Sequence, residues 1–228
     1  MLGFGGFEAA LAGFQTVADR LWLCQNKDKM IERQMSRTLR ALVLIALVAG
    51  CGSGNYAAPR EIDNACSIVA QHPDYLRAFR ATQRKWGVPV AVQMAIIYQE
   101  SKFIGNARTP HQFVLGVIPV GRQSSAYGYS QALDGTWEEY QADQGQRRAR
   151  RDDISDATDF MGWYMTDTVA ETGVPLNDAR NQYLAYHEGR SGYLRGSYND
   201  KAWLVRIAGE IADRAVMYDA QLRSCGRI

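Results

Sequence analysis

The chain of 228 residues carries 26 Lys and Arg against 24 Asp and Glu, with 46% hydrophobic and 22% charged residues. This is ordinary globular composition, which excludes collagen-like, coiled-coil and wholly disordered chains. The formal net charge of +2 is too small to indicate a nucleic-acid partner. Residues 1–34 open with a Gly/Phe-rich, mildly amphipathic stretch (Leu2, Phe4, Phe7, Leu11, Phe14) and continue into a polar one.

The longest uncharged apolar run follows, Ala41 to Gly50. Its 10 residues fall short of the about 20 that a spanning helix needs. Arg37 and Arg40 precede the run and small residues end it. A basic start, a short apolar middle and a small-residue end make residues 35–50 a secretory signal, where the alternative is a buried core helix. Leu47-Val48-Ala49-Gly50-Cys51 resembles the bacterial lipobox, in which the peptide before the Cys is removed and its thiol is lipidated. That resemblance implies a membrane anchor on Cys51, each buried CH₂ contributing about 0.8 kcal/mol. Gly52 stands where an inner-membrane retention signal would have Asp, which points to the outer membrane and a periplasm-facing protein of the cell envelope. Residues 51–60 then read as a flexible tether.

Because a signal begins a chain, residues 1–34 are read as an upstream extension absent from the mature protein, with Met35 the true start. The alternative is a genuine cytoplasmic helix lost on maturation. Residues 1–34 hold four basic and four acidic groups, and residues 35–50 hold Arg37 and Arg40 and no acid. The mature part, 51–228, is therefore formally neutral, and its single domain, 61–228, is expected to be monomeric. With Cys24 upstream and Cys51 lipidated, Cys66 and Cys225 remain of the four cysteines. In an oxidising compartment the pair reads as a disulfide, where the alternative is two unpaired thiols. It would close a loop of about 160 residues and contribute roughly 4–5 kcal/mol. No CxxC spacing exists and only three His occur, so neither zinc nor any cofactor is expected.

Apolar residues in the domain recur at helical spacing. Asp74–Trp86 is one amphipathic helix. Pro89–Gln99 is a second, apolar nearly all round and so buried. Helices are also predicted over Leu133–Gln144, from an Asp152 or Asp153 cap to Glu171, and from an Asn177 or Asp178 cap to His187 with Gly189 ending it. The last carries Trp203, Leu204, Ile207, Ala208, Ile211, Ala215, Tyr218 and Leu222 at i, i+3/i+4 spacing. An irregular, Gly- and Pro-containing stretch from Ser101 to Ser130 has the length of a functional loop, with a short β-hairpin near Phe113–Val120. Arg147–Arg151 is a basic run read as a solvated helix entry, or more sharply as a contact for acidic groups on an envelope polymer. The predicted fold class is all-α with one small hairpin.

Glu100 ends the apolar helix. A carboxyl group there is costly to ionise, its pKa rises, and it suits a general acid at neutral pH. Three motifs around it resemble the transglycosylase SLT family, of goose-lysozyme-like fold. Glu100-Ser101 followed by Phe103 is similar to the family's E-S-x-F. Gly128-Tyr129-Ser130-Gln131 is similar to G-L-M-Q, and Ala185-Tyr186-His187-Glu188-Gly189 to A-Y-N-A-G. The resemblance spans residues 90–190. It departs at Tyr129-Ser130, at His187-Glu188 and in a long Glu100–Gly128 interval, which marks a divergent branch.

The resemblance implies a lytic transglycosylase that binds peptidoglycan glycan strands and cleaves the MurNAc-GlcNAc β-1,4 bond to a 1,6-anhydro product. Glycosidic cleavage needs an acid on the leaving oxygen, and ordinary glycosidases add a second carboxylate. The family resembles a one-carboxylate design in which the substrate's N-acetyl group assists and its C6 hydroxyl replaces water. Glu100 is then acid and afterwards base. Ser101 would orient Glu100 or the N-acetyl group, Tyr186 would hold Glu100 by a hydroxyl hydrogen bond, and Gln131 would donate to an acetamido oxygen. Gly128 would let a sugar approach the backbone. Tyr127, Tyr129, Trp137 and Tyr193 suit sugar stacking or core packing. Glu188 and Asp134 are the second carboxylates of a lysozyme- or chitinase-like hydrolase, with Glu188 paired to His187 as the structural alternative. A non-catalytic glycan-binding lipoprotein is the third reading. No G-x-S-x-G elbow surrounds Ser101 or Ser130, which argues against acyl transfer.

Overall fold

A computed structural model describes residues 56–114 and 118–228 of the chain. The extension 1–34, the signal 35–50 and Cys51 lie outside the described residues. The described part contains α1 (Ala65–Gln71), α2 (Pro73–Trp86), α3 (Val90–Ser101), β1 (His111–Val114), β2 (Ile118–Arg122), α4 (Asp134–Asp143), α5 (Ile154–Thr172), α6 (Ala179–Glu188), α7 (Arg190–Leu194) and α8 (Ala202–Ser224). It is a mainly α fold with one small hairpin, as the sequence predicts. None of the described helices is long and apolar enough to cross a membrane.

The central helix is α3. Pro89 sets its entry, and every residue from Val90 to Ile97 is buried, as an apolar pattern without a polar face requires. It packs on α2, α6 and α8. On α8 the buried stripe is Leu204, Ala208, Ile211, Ala215, Tyr218 and Leu222. Long α5 begins at the Asp153 cap, whose carboxylate accepts from the amides of Ser155 and Asp156, and it packs along α2. Gly162 of α5 makes that approach possible, since a Cβ there would sit 2.3 Å from the Trp86 ring. An aromatic cluster of Trp137, Tyr140, Phe160 and Trp163 fills the α4–α5 interface.

The hairpin is antiparallel, with a register shift between Gln112 and Phe113. Its strands extend beyond the expected Phe113–Val120 at both ends. A bridge between Arg108 and Tyr127 closes its base, and the Arg108 guanidinium lies 4.1 Å from the Tyr127 ring centroid. The segment 51–60, expected to be a free tether, is docked where it is described. Tyr56 donates to Asp152 at 2.8 Å, and Pro59 is buried. Two short helices were not expected. In α1, Asn64 caps the start and the Ala65 amide donates to Gln221 of α8 at 2.7 Å. The Cys66–Cys225 disulfide joins α1 to the end of α8 across 159 residues of sequence.

Candidate active site

Glu100 stands in the last turn of α3, half-buried between α3 and α6. Loss of hydration on burial pushes its pKa up to about 7, against the Tyr183 hydroxyl bonded to it and the nearby Lys102 charge, which both pull it down. The carbonyl end of α3 adds negative potential there, which also disfavours the ionised form. Tyr183 is buried on α6, and the charge of Glu100 contributes to raising its own pKa.

Tyr186, one turn along α6, lies within the field of Glu100 but spends its hydroxyl elsewhere. It donates to the Ser130 carbonyl at 2.6 Å, and its ring meets Tyr164 edge-on at 5.1 Å. The expected Tyr186–Glu100 hydrogen bond is therefore not made, and the hydroxyl that lowers the pKa of Glu100 is that of Tyr183, three residues earlier on the same helical face. The three motifs nonetheless converge: Glu100 from the first, the Ser130 carbonyl from the second, and Tyr186 from the third.

The supporting residues differ from expectation in their contacts. Ser101 is buried and its hydroxyl donates back to the Ile97 carbonyl at 3.3 Å, the intrahelical bond open to a Ser late in a helix. Gly128 has φ 82, and a Cβ there would lie 2.0 Å from the Arg151 carbonyl oxygen. That backbone contact by itself requires glycine here. The Gly128 amide donates to Ala107 at 3.0 Å and the Tyr129 amide to Arg151 at 3.1 Å. Gln131 has φ 50, and its side-chain amide donates to the carbonyls of Ala107 at 3.0 Å and Gly128 at 2.8 Å. Tyr129 is buried, with its hydroxyl 3.0 Å from that of Tyr75. Motif two is thus a braced turn, joined to motif three where the Ser130 carbonyl accepts from Tyr186. Trp137 is core.

Glu188 ends α6 under different conditions. Lys201 donates to it at 2.7 and 2.9 Å, Ser197 donates a short hydrogen bond, and His187 Nδ1 lies 3.0 Å away. The bonds from Lys201 and Ser197 lead in holding its carboxyl down to about 2. Asp134 is exposed and pairs with Arg151 at 2.7 Å. Arg150 pairs with Asp152 at 3.0 Å, so two members of the basic run are structural ties.

Sequence reasoning missed Tyr183, which reads as core in isolation; its place three residues before Tyr186 was the available signal. Among the described residues, no group of three or more His, Cys, Asp or Glu could hold a metal ion. A pocket of about 450 Å³ lies at the other end of α3, lined in part by Pro89, Val92, Ala179, Ala215 and Val216, and contains none of the motif residues.

A half-buried carboxyl raised by burial to about 7, set among tyrosines, has the protonation that acid catalysis at a glycosidic bond requires. Over residues 39–225 the chain matches the family described as Transglycosylase SLT domain, and it belongs to that family. The protein is accordingly a lytic transglycosylase, which cleaves glycosidic bonds in peptidoglycan. No curated protein matches the chain.

Proposed function

We propose that Glu100 is the general acid and base of this enzyme and that its product is a 1,6-anhydro sugar. Glu100 gives its proton to the oxygen leaving the MurNAc C1 carbon as the β-1,4 bond to GlcNAc breaks. The substrate's N-acetyl group supports the positive charge at C1. The C6 hydroxyl of the same MurNAc then closes onto C1, and its proton returns to Glu100. No water is consumed, so the sum of product masses equals the substrate mass.

The reading is carried by the place of Glu100, half-buried in the last turn of α3 beside Tyr183 and Lys102, where burial raises its pKa to about 7 and leaves a proton available near neutral pH. Tyr183 and Lys102 are the groups that act on it, and no carboxylate of the described residues is among them. That fits one-carboxylate chemistry better than the paired carboxylates of a hydrolase. Glu188 is an unsuitable partner, because Lys201, Ser197 and His187 occupy its oxygens.

Product mass tests the reading directly. Wild-type enzyme should release fragments one water lighter than hydrolysis products. Reducing-end products alone would make it a hydrolase. The proposal also places the enzyme on the periplasmic side of the outer membrane through a lipid on Cys51, followed by a tether that ends by Tyr56. Cys51→Ser should move the enzyme from the membrane to the soluble fraction; retention in the membrane would remove the anchor.

A further inference from the structure

The turn that ends α3 carries a second charged group beside Glu100. Lys102 caps the helix in the left-handed region at φ 54, and Phe103 follows at φ 63. Two successive non-glycine residues there are conformationally costly and persist only when their surroundings fix them. Phe103 supplies that constraint, being fully buried and stacked on Tyr75 at 6.0 Å. The Lys102 side chain is consequently held back over its own helix, with Nζ 3.7 Å from the Tyr98 ring centroid. The Arg214 guanidinium of α8 lies 3.3 Å from the same ring, so two cations share one aromatic group.

Their hydrogen bonding is unequal. Arg214 donates to Asp63 at 2.6 Å and to Tyr218 at 3.3 Å. Among the described residues, the Lys102 ammonium has no hydrogen-bond acceptor and no ion pair. The carboxylates near enough to act on it are Asp63, Glu100 and Glu210. Asp63 is engaged by Arg214, Glu210 pairs with Arg206 at 2.6 Å, and Glu100 is bonded by Tyr183. A half-buried cation with three donors and another cation alongside is suited to receive an anion. Burial and the charge of Arg214 lower its pKa in keeping with this.

Peptidoglycan supplies one kind of anion. Its sugar backbone is uncharged, while the peptide stems carried by MurNAc bear carboxylates. We propose that Lys102 is a specificity-determining residue that receives a peptide-stem carboxylate while the scissile bond lies at Glu100. The proposal rests on Glu100 being the reacting group, and the experiment keeps the two ideas apart.

Glycan strands bearing peptide stems are compared with the same strands stripped by an amidase and then amidated at the lactyl carboxylates that stripping frees on MurNAc, the readout being the ratio of the two kcat/KM values. Both substrates meet the same acid, so the ratio cancels any change Lys102 makes to Glu100. Lys102→Gln should lower the ratio about tenfold, the size of one partly exposed charge-assisted hydrogen bond, and Lys102→Arg should keep most of it. An unchanged ratio in Lys102→Gln would overturn the proposal, even if both rates fell together. The wild-type enzyme provides a measurement independent of variant folding: amidating the stem carboxylates should abolish its preference for stem-bearing strands. A preference that survives amidation, or one never present, also overturns it. Full activity in Glu100→Gln would sink the catalytic reading instead, with the ratio still measurable.

Discussion

Glu100 and Glu188 occupy matching places, each in the last turn of a helix facing the interior, yet they titrate in opposite directions. Both feel the negative end of a helix dipole, which favours the protonated acid. At the end of α6 that bias is overwhelmed by donors from Lys201, Ser197 and His187, and the carboxyl stays ionised down to about 2. At the end of α3 the nearest cation, Lys102, is turned onto Tyr98, the one bonded donor is Tyr183, and desolvation prevails. Position on a helix does not decide a carboxylate's role; the number of donors reaching it does.

The contrast can be broken most severely in rate. Glu100→Gln should lower cleavage by at least about 10²-fold and up to about 10⁴-fold, the contribution of a positioned acid. Glu188→Gln, with Glu100 intact, should retain activity within about tenfold of wild type, since its charge is spent on Lys201. Equal losses in the two variants would mean that the carboxyls had been assigned to the wrong roles. For the wild type, activity should fall as pH rises through about 7, where Glu100 loses the proton that it must donate.

Stability should divide the two carboxyls in the opposite sense. The native pKa of Glu100 lies above its unfolded value, so the native state holds the extra proton between pH 4.5 and about 7. Stability therefore falls as pH rises across that window. Glu100→Gln should stabilise the protein by about 1–2 kcal/mol at pH 8 and little at pH 4, after allowance for partial exposure. The native pKa of Glu188 lies below its unfolded value, so its contribution is present above pH 4.5 and is lost as pH falls toward about 2. Glu188→Gln should cost about 1–3 kcal/mol at neutral pH by leaving donors unmet. Urea titrations at pH 4 and 8 measure both.

The smallest expected effect is that of Tyr183→Phe. The Tyr183 hydroxyl lowers the pKa of Glu100, so its removal should move the alkaline limb of the pH–rate profile, where Glu100 loses its proton, to higher pH. The loss in kcat should be about 3–10-fold, as for one hydrogen bond. A profile that stays in place would show that Tyr183 does not touch the working acid.

Much of this arrangement was legible in the sequence. The apolar period of α3 and α8 is strong because each spans three or more turns, and Asp153, Asp178 and Gly189 stand where helix ends require them. Helices α1 and α7 were not legible, because 7 and 5 residues are too few to show a period and α1 depends on a distant Gln221. At the site, motif order placed Glu100 and Tyr186 on facing helices. It could not supply the Arg151 carbonyl behind Gly128 or the Ala107 carbonyl that accepts from Gln131, since those contacts cross 23 and 24 positions of sequence. Gly128 and Gln131 thus carry motif letters that brace the turn.

The bond between Cys66 and Cys225 has a mechanical consequence. It closes residues 66–225, almost the whole folded unit, into a covalent ring. The helices bearing Glu100 and Tyr183 lie inside that ring, so fraying at either end of the folded unit cannot part α1 from the end of α8.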